Sequence, residues 1–192
     1  MSDAFEPILE IGRVMRGFGR PWFVSGGWAI DLFLGEVMRK HEDLEVGIYR
    51  ADQEAFREWL GGWSFERVDG ERWVEWEARK VLELPDHQAR VRDGATAVEF
   101  EVFLNEATEG RWLSRRHAGL WRGLAEVWMV GEVGVPFISP EIQLLYKAKY
   151  QRAKDEHDFE LAAPRLDEGR RRWLIEGLRL CHPGHDWLRK LE

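Results

Sequence analysis

The sequence has a single cysteine, no long apolar run and no excess of positive charge, and each shortage excludes a class of protein. Cys181 alone can form neither an internal disulfide nor a cysteine-based zinc site. No apolar run approaches the ~18 residues that a membrane span requires, and the acidic start of the chain lacks the pattern of a secretion signal. We therefore expect a cytoplasmic protein with no membrane partner.

The charge balance limits the range of binding partners. A formal net charge of −7 has the wrong sign for a protein that coats nucleic acid, because phosphate neutralisation supplies most of that affinity. It suits a small or cationic substrate better. The eleven tryptophans are scattered along the 192 residues, which favours core packing over one stacking surface and is compatible with an oligomer interface.

Hydrophobic periodicity and turn residues predict an α+β fold. The elements expected before residue 63 are a helix over 4–19, a strand over 21–25, a short helix ending at Gly35, a strand over 43–49 and a helix over 51–62. Residues 63–138 read as mostly antiparallel strands, with Asp-Gly turns at 69–70 and 93–94. Helices follow at about 140–152, 155–164 and 167–181. We expect a mixed or antiparallel sheet flanked by helices, with a catalytic core over 1–138 and a helical region over 139–192 packed on it.

A Ser-Gly-Gly sequence stands where the first strand meets the next helix. Glycine permits positive φ and close approach to the backbone. Free N–H groups at the start of a helix can then bind a phosphate, which makes Gly26 and Gly27 candidates for an anion site. Taken alone, such a pair is more often an ordinary turn.

Two pairs of acids alternate with apolar residues. Asp43 and Glu45 share one face of the second predicted strand, about 6.6 Å apart along the chain. Glu99 and Glu101 share a face of a later strand in the same way. Carboxylates that converge on a cleft form a site for Mg²⁺, and two such ions can clamp the attacking and leaving oxygens of nucleotidyl transfer. The alternative is that both strands turn their acids to solvent.

These residues carry a resemblance to a known superfamily. Residues 26–35 read GGWAIDLFLG and residues 39–46 read RKHEDLEV. The two stretches resemble the signature of the DNA-polymerase-β-like nucleotidyltransferases, in the branch of aminoglycoside-2″-adenylyltransferases, at the spacing of that family. The match covers residues 22–50 well, and the later stretch PEIQLLYKAKYQRAKDEHDFE resembles the helical region of the same proteins.

The resemblance implies roles for the glycines and the acids. Ser25, Gly26 and Gly27 would hold the nucleotide phosphates. Asp43 and Glu45 would ligate Mg²⁺, of which two ions are expected. Glu99 is the preferred third acid, as a ligand or as the base that deprotonates the acceptor, and Glu101 is the alternative.

Further residues have two interpretations each. Arg39 and His41 would touch the phosphates or support the metal loop. Trp28 would form a wall of the nucleotide pocket or lie in the core. One lysine of the next matched helix would reach the triphosphate, and Lys147 is preferred over Lys149 because Lys149 continues an apolar stripe.

Three other polar features favour structural roles. Asp31 would brace the Gly-Gly turn. Asp155 and Asp158 suit the first turn of a helix. The basic run at 115–117 is interpreted as a solvated loop in preference to a phosphate contact.

The resemblance implies a Mg²⁺-dependent nucleotidyltransferase that moves AMP from ATP, or another nucleoside monophosphate from its triphosphate, to a hydroxyl of a small, aminoglycoside-like acceptor. Two alternatives are a toxin-like enzyme acting on tRNA or protein, and a non-catalytic nucleotide-binding module with a decayed metal site. Two positions depart from the pattern, because Glu45 stands where the best-known members carry aspartate and the third acid is also a glutamate.

Overall fold

A mixed β-sheet organises the computed structural model, which describes residues 3–192. The strands, in chain order, are β1 (Trp22–Ser25), β2 (Glu45–Tyr49), β3 (Ser64–Asp69), β4 (Arg72–Glu75), β5 (Gln88–Arg92), β6 (Glu99–Thr108), β7 (Arg111–Leu113), β8 (Trp121–Gly123), β9 (Trp128–Val130) and β10 (Pro136–Ile138). Across the sheet the order is β4-β3-β5-β6-β2-β1-β10-β9, and β7 and β8 extend from the end of β6. The β2–β6 and β1–β10 pairs are parallel and the other described pairs are antiparallel.

The helices are α1 (Glu6–Val14), α2 (Gly26–Leu34), α3 (Gln53–Trp59), α4 (Pro140–Lys147), α5 (Ala153–Ala162), α6 (Glu168–Cys181) and α7 (Asp186–Leu191). The predicted α+β fold is confirmed. None of these helices is both long and apolar enough to cross a bilayer.

Several element boundaries differ from expectation, and three of them lie next to the candidate site. The two glycines belong to the first turn of α2 and do not precede it, and β2 begins at Glu45, two residues later than predicted. Helix α4 ends at Lys147 because the chain bends at Gln151, where φ is +46°. Helix α5 then starts with the Asp155 carboxylate accepting a hydrogen bond of 3.2 Å from the Arg152 N–H.

One face of the sheet packs on α1 and α3. Phe100 and Val102 of β6 point to this face and are almost fully buried, together with Ile11 of α1 and Phe56 of α3. Burying a side chain of this size stabilises the fold by about 1.5–3 kcal/mol. The alternation along β6 therefore fixes its register, and it sends Glu99 and Glu101 to the opposite face.

The opposite face packs against α2 and the C-terminal helices. Helix α4 contacts α2, α5 and α6, and its Leu144 and Leu145 are fully buried in a core shared with β1 and β10. The predicted boundary at 138/139 falls between β10 and α4. Because the helices cover only part of this face, a cleft remains between α4 and the strands β1, β2 and β6.

Candidate active site

Three acids meet where β2 and β6 begin. Glu45 lies opposite Glu101 in the parallel pair, and the Glu101 N–H donates to the Leu44 carbonyl at 2.8 Å, which fixes this end of the ladder. Asp43 stands exposed just before β2. Burial, followed by repulsion from Asp43 and Glu101, raises the pKa of Glu45 to about 7. Burial also raises the pKa of Glu101, to which Asp43 adds repulsion, although a hydrogen bond from Gln88 opposes the shift.

Glu99 is oriented differently from Glu101. Its side chain is 36% exposed and pairs with Arg92, with Arg90 at 4.0 Å. Glu101 instead is half-buried and accepts a hydrogen bond of 2.7 Å from the Gln88 amide. The two acids therefore differ in their partners, because Glu99 is paired with arginines on β5 whereas Glu101 lies opposite Glu45. Which of them is the third acid stays a prediction.

The chemistry of Asp43, Glu45 and Glu101 fits a divalent cation. Their oxygens are the ligands that Mg²⁺ prefers, and repulsion from Asp43 and Glu101 adds to the effect of burial in raising the pKa of Glu45. Within residues 3–192, no three carboxylate, imidazole or thiol side chains already lie in a coordinating arrangement. The ligands are therefore gathered at one place without being preformed into a cage.

The two glycines make room for side chains. A Cβ at Gly26, where φ is +71°, would lie 2.8 Å from the Glu45 carboxyl carbon, and one at Gly27 would lie 2.4 Å from both Arg39 and His41. The Gly26 N–H donates to the Gln143 amide oxygen at 2.9 Å. The bend thus makes room for Glu45, and Gly26 lines the cleft whereas Gly27 does not. The phosphate contact of the two glycines stays a prediction.

Arg39, His41 and Trp28 brace the loop that leads to the acids. The His41 ring lies 2.5 Å from the buried Asp31 carboxylate and packs on Trp28 with ring centroids 4.4 Å apart. The Arg39 guanidinium makes two hydrogen bonds of 2.9 Å to Asp158. None of the three lines the cleft, so the structure supports their structural interpretation over direct nucleotide contact.

Lys147 is the lysine that reaches the cleft. It is 5% exposed, and its ammonium lies 2.7 Å from Asp158 and 3.4 Å from Asp155. Burial alone would raise the pKa of Asp158, but its hydrogen bonds with Arg39 and Lys147 hold that pKa below its usual value. Lys149, in contrast, points outward to the hydroxyl of Tyr150 at 2.8 Å.

The cleft brings several of these groups together, because Gly26, Glu45 and Lys147 line it, whereas Asp43 and Glu101 are not among its lining residues. Its floor is the sheet and its walls are α4, the segment after it and the loop between β7 and β8. The lining residues are Phe23, Ser25, Gly26, Glu45, Phe103, Asn105, Arg115, Arg116, Ile138, Gln143, Tyr146, Lys147, Tyr150 and Arg152. Strand, glycine bend, paired acids and buried lysine are the parts from which a nucleotidyl-transfer site can be built.

Comparison with known proteins identifies the family. The family model described as aminoglycoside-2″-adenylyltransferase matches residues 7–161, most of the chain. The chain belongs to the aminoglycoside-2″-adenylyltransferase family. The suspected resemblance is thereby confirmed.

Curated members of this adenylyltransferase family match over a shorter region. The 2″-aminoglycoside nucleotidyltransferases of Escherichia coli and Klebsiella pneumoniae are 46% identical over 52 residues, which is 26% of this chain and 29% of each relative. The match therefore spans less than a third of the length of these relatives.

Solved structures share the fold over nearly the whole chain. ANT(2″)-Ia, in complex with adenylyl-2″-tobramycin, is 17% identical with a TM-score of 0.58 and covers 92% of this chain and 97% of its own. The lincomycin-bound lincosamide adenylyltransferase LnuA is 16% identical with a TM-score of 0.55, covering 81% of this chain and 94% of its own. At this identity the likeness establishes the adenylyltransferase fold.

The family signature did not indicate several residues of the cleft. Gln143 and Tyr146 lie on the α4 face that reads as a helix stripe, and Arg152 follows a helix end that the sequence placed later. Arg115 and Arg116 were interpreted as solvated, yet both are half-buried in the wall. Local sequence patterns could not indicate these residues, because they come from separate segments that meet only in the folded cleft.

Glu45 predicts an unusual pH dependence of the stability of this protein in the absence of metal. Because its pKa is raised from 4.5 to about 7, the stability present below pH 4.5 is lost as the pH rises through 7. Glu45→Gln removes this loss, so the variant should gain about 2 kcal/mol over wild type between pH 5 and pH 8. Urea unfolding in EDTA at both pH values measures the difference.

An exposed acid in the same loop provides the control. Glu42→Gln should show no such pH-dependent gain over wild type. Mg²⁺ at pH 8 should raise the melting temperature of wild type and not that of Glu45→Gln, because metal binding requires the ionised ligand. A pH-independent difference between Glu45→Gln and wild type would contradict the assignment.

Proposed function

We propose that this protein is a Mg²⁺-dependent nucleotidyltransferase that moves AMP from ATP to a hydroxyl of a small acceptor and releases pyrophosphate. The observation that carries the proposal is the convergence of Asp43, Glu45 and Glu101 beside the Gly26 bend in a family member. The acceptor class follows from the relatives, whose names and complexes refer to aminoglycoside and lincosamide antibiotics.

The acids and the side chains that line the cleft would have different roles. Asp43, Glu45 and Glu101 would hold two Mg²⁺ ions, which when bound neutralise phosphate charge and polarise the α-phosphate. Lys147 and Ser25 face the cleft and would orient the triphosphate. Glu101 would take the proton of the acceptor hydroxyl while the new oxygen–phosphorus bond forms and the bond to pyrophosphate breaks.

A transfer assay tests the proposal directly. The protein is incubated with Mg²⁺, each of the four nucleoside triphosphates and a panel of aminoglycosides, lincosamides and simple sugars. We expect pyrophosphate release together with an acceptor that gains one nucleoside monophosphate by mass spectrometry, with ATP the best donor and no product in EDTA. Nucleotide binding without turnover would instead support a non-catalytic module, and labelling of tRNA or protein would support a macromolecular acceptor.

A further inference from the structure

Two arginines in the wall of the cleft have no acidic partner. The cationic side chains that line the cleft are Arg115, Arg116, Lys147 and Arg152. Lys147 and Arg152 are ion-paired with Asp155 or Asp158. Within residues 3–192, Arg115 and Arg116 make no such pair, although both are half-buried and a free guanidinium is costly to desolvate.

The loop between β7 and β8 holds the two arginines in place. The Arg116 N–H donates to the Ser114 hydroxyl at 3.1 Å, and the Ser114 N–H donates to the Leu120 carbonyl at 2.9 Å. The Arg115 guanidinium carbon lies 5.0 Å from the centre of the Tyr146 ring, and that of Arg116 lies 5.5 Å from it. The loop therefore presents two positive charges over one aromatic face without neutralising either.

Unpartnered polar atoms occur on several residues that line the cleft. Within the described residues, four buried atoms of these residues lack a hydrogen-bond partner: the Nε of Arg115, the Nε of Arg116, the hydroxyl of Tyr146 and the hydroxyl of Ser25. All four can donate a hydrogen bond. Buried donors without acceptors are rare in folded proteins, so their occurrence on residues of one cleft favours a ligand rich in acceptor oxygens.

A second cavity continues from the same two arginines. It is lined by Arg115, Arg116, His87, His117 and apolar residues of the 84–85 and 113–118 segments, and Glu106 is its one described carboxylate. Arg50 neutralises Glu106 at 2.6 Å. The positive charge of the pair is therefore not balanced from this side either.

We propose that Arg115 and Arg116 form an anion-binding site in the wall of the cleft, which binds a phosphate-type oxyanion. Two sources share this chemistry: the terminal phosphates of the nucleotide, and a phosphate or carboxylate on the acceptor. The identity of these two sources rests on the proposed function. Anion binding by Arg115 and Arg116 does not, because it requires no turnover.

Calorimetric titration of the whole protein tests the site with two probes. Inorganic tripolyphosphate represents the nucleotide source, and inorganic phosphate added to protein saturated with a non-hydrolysable ATP analogue represents the acceptor source. The variant Arg115→Gln/Arg116→Gln should lower the affinity for one of the two probes by about 10- to 100-fold, since each hydrogen bond to a charged group contributes about 1.5–3 kcal/mol. Loss of tripolyphosphate binding assigns the site to the nucleotide, and loss of phosphate binding assigns it to the acceptor.

Matched variants separate a site from a general charge effect. Arg111→Gln removes a positive charge from the adjoining strand, where Arg111 stacks on Trp121, and should leave both affinities unchanged. Arg115→Lys/Arg116→Lys should recover part of the lost affinity. If a folded Arg115→Gln/Arg116→Gln variant binds both probes like wild type, the proposal is overturned. Asp43→Asn should lower transfer by about 10²-fold or more and leave tripolyphosphate binding in EDTA intact, so the two proposals fail independently.

Discussion

Asp43→Asn is expected to lower kcat/KM for nucleotidyl transfer by about 10²- to 10³-fold or more, the effect of removing one group that stabilises transition-state charge. The reason is that Asp43 contributes charge to the cluster that raises the pKa of Glu45. The amide keeps the shape of the side chain and loses the charge that a Mg²⁺ ligand needs. Initial rates over a range of Mg²⁺ concentrations measure the effect, with a higher Mg²⁺ requirement expected in the variant.

The fold of this variant should be unaffected. Asp43 is exposed and stands outside β2, so the melting temperature in EDTA should stay within about 2 °C of wild type. Glu42→Gln in the same loop is the control and should retain full activity. If Asp43→Asn transfers AMP as fast as wild type, Asp43 is not a ligand and the acid cluster is not the catalytic centre.

Most of the fold could be predicted because its signals are local. Short stretches of sequence are enough to predict strand β6, from its apolar alternation, and the C-terminal helices, from their capping residues and apolar stripes. Boundaries were less accurate where a long-range contact decides them. Residues Gly26 and Gly27 enter the helix α2 because Glu45, Arg39 and His41 occupy the space beside them, and no local pattern records that packing.

The choice between Glu99 and Glu101 required the neighbouring strand. Both acids point to the same face of β6, so alternation alone cannot separate them. The antiparallel register with β5 places Arg92 opposite Glu99 and Arg90 opposite Glu101, while the parallel register with β2 adds Glu45 beside Glu101. Register across strands is a tertiary property, so the sequence alone could not show which acid lies opposite Glu45.

The dependence on tertiary structure also explains why the sequence indicated the acids and the glycines but not which contacts hold them in place. The acids and glycines form a short signature that the family shares. The supporting contacts come from distant segments. Asp158 pairs with both Arg39 and Lys147, and the side-chain oxygen of Gln143 accepts a hydrogen bond from the Gly26 N–H. Helix α5 therefore joins the loop before β2 to the lysine of α4 through one buried carboxylate, which positions the cation and the acids relative to each other.

Glu101→Gln is expected to lower kcat by about 10²- to 10⁴-fold, the usual contribution of a general base. Burial raises the pKa of Glu101, which brings this carboxylate closer to the pH at which a base works best. Loss of the base should also remove the acidic limb of the kcat–pH profile. Should Glu101 act only as a metal ligand, the variant would instead show a raised Mg²⁺ requirement and keep that limb.

Glu99→Gln is the matched control, because it removes the same charge two residues away on the same face of β6. Glu99→Gln should change kcat by no more than about two- to threefold, since substitutions at exposed sites alter free energies by about 0.5 kcal/mol. The arginines that pair with Glu99 are solvent-accessible, so water can replace the Glu99 carboxylate as their partner. A large effect of Glu99→Gln with a small effect of Glu101→Gln would restore the original preference and would mean that β6 presents Glu99 to the cation in the loaded enzyme.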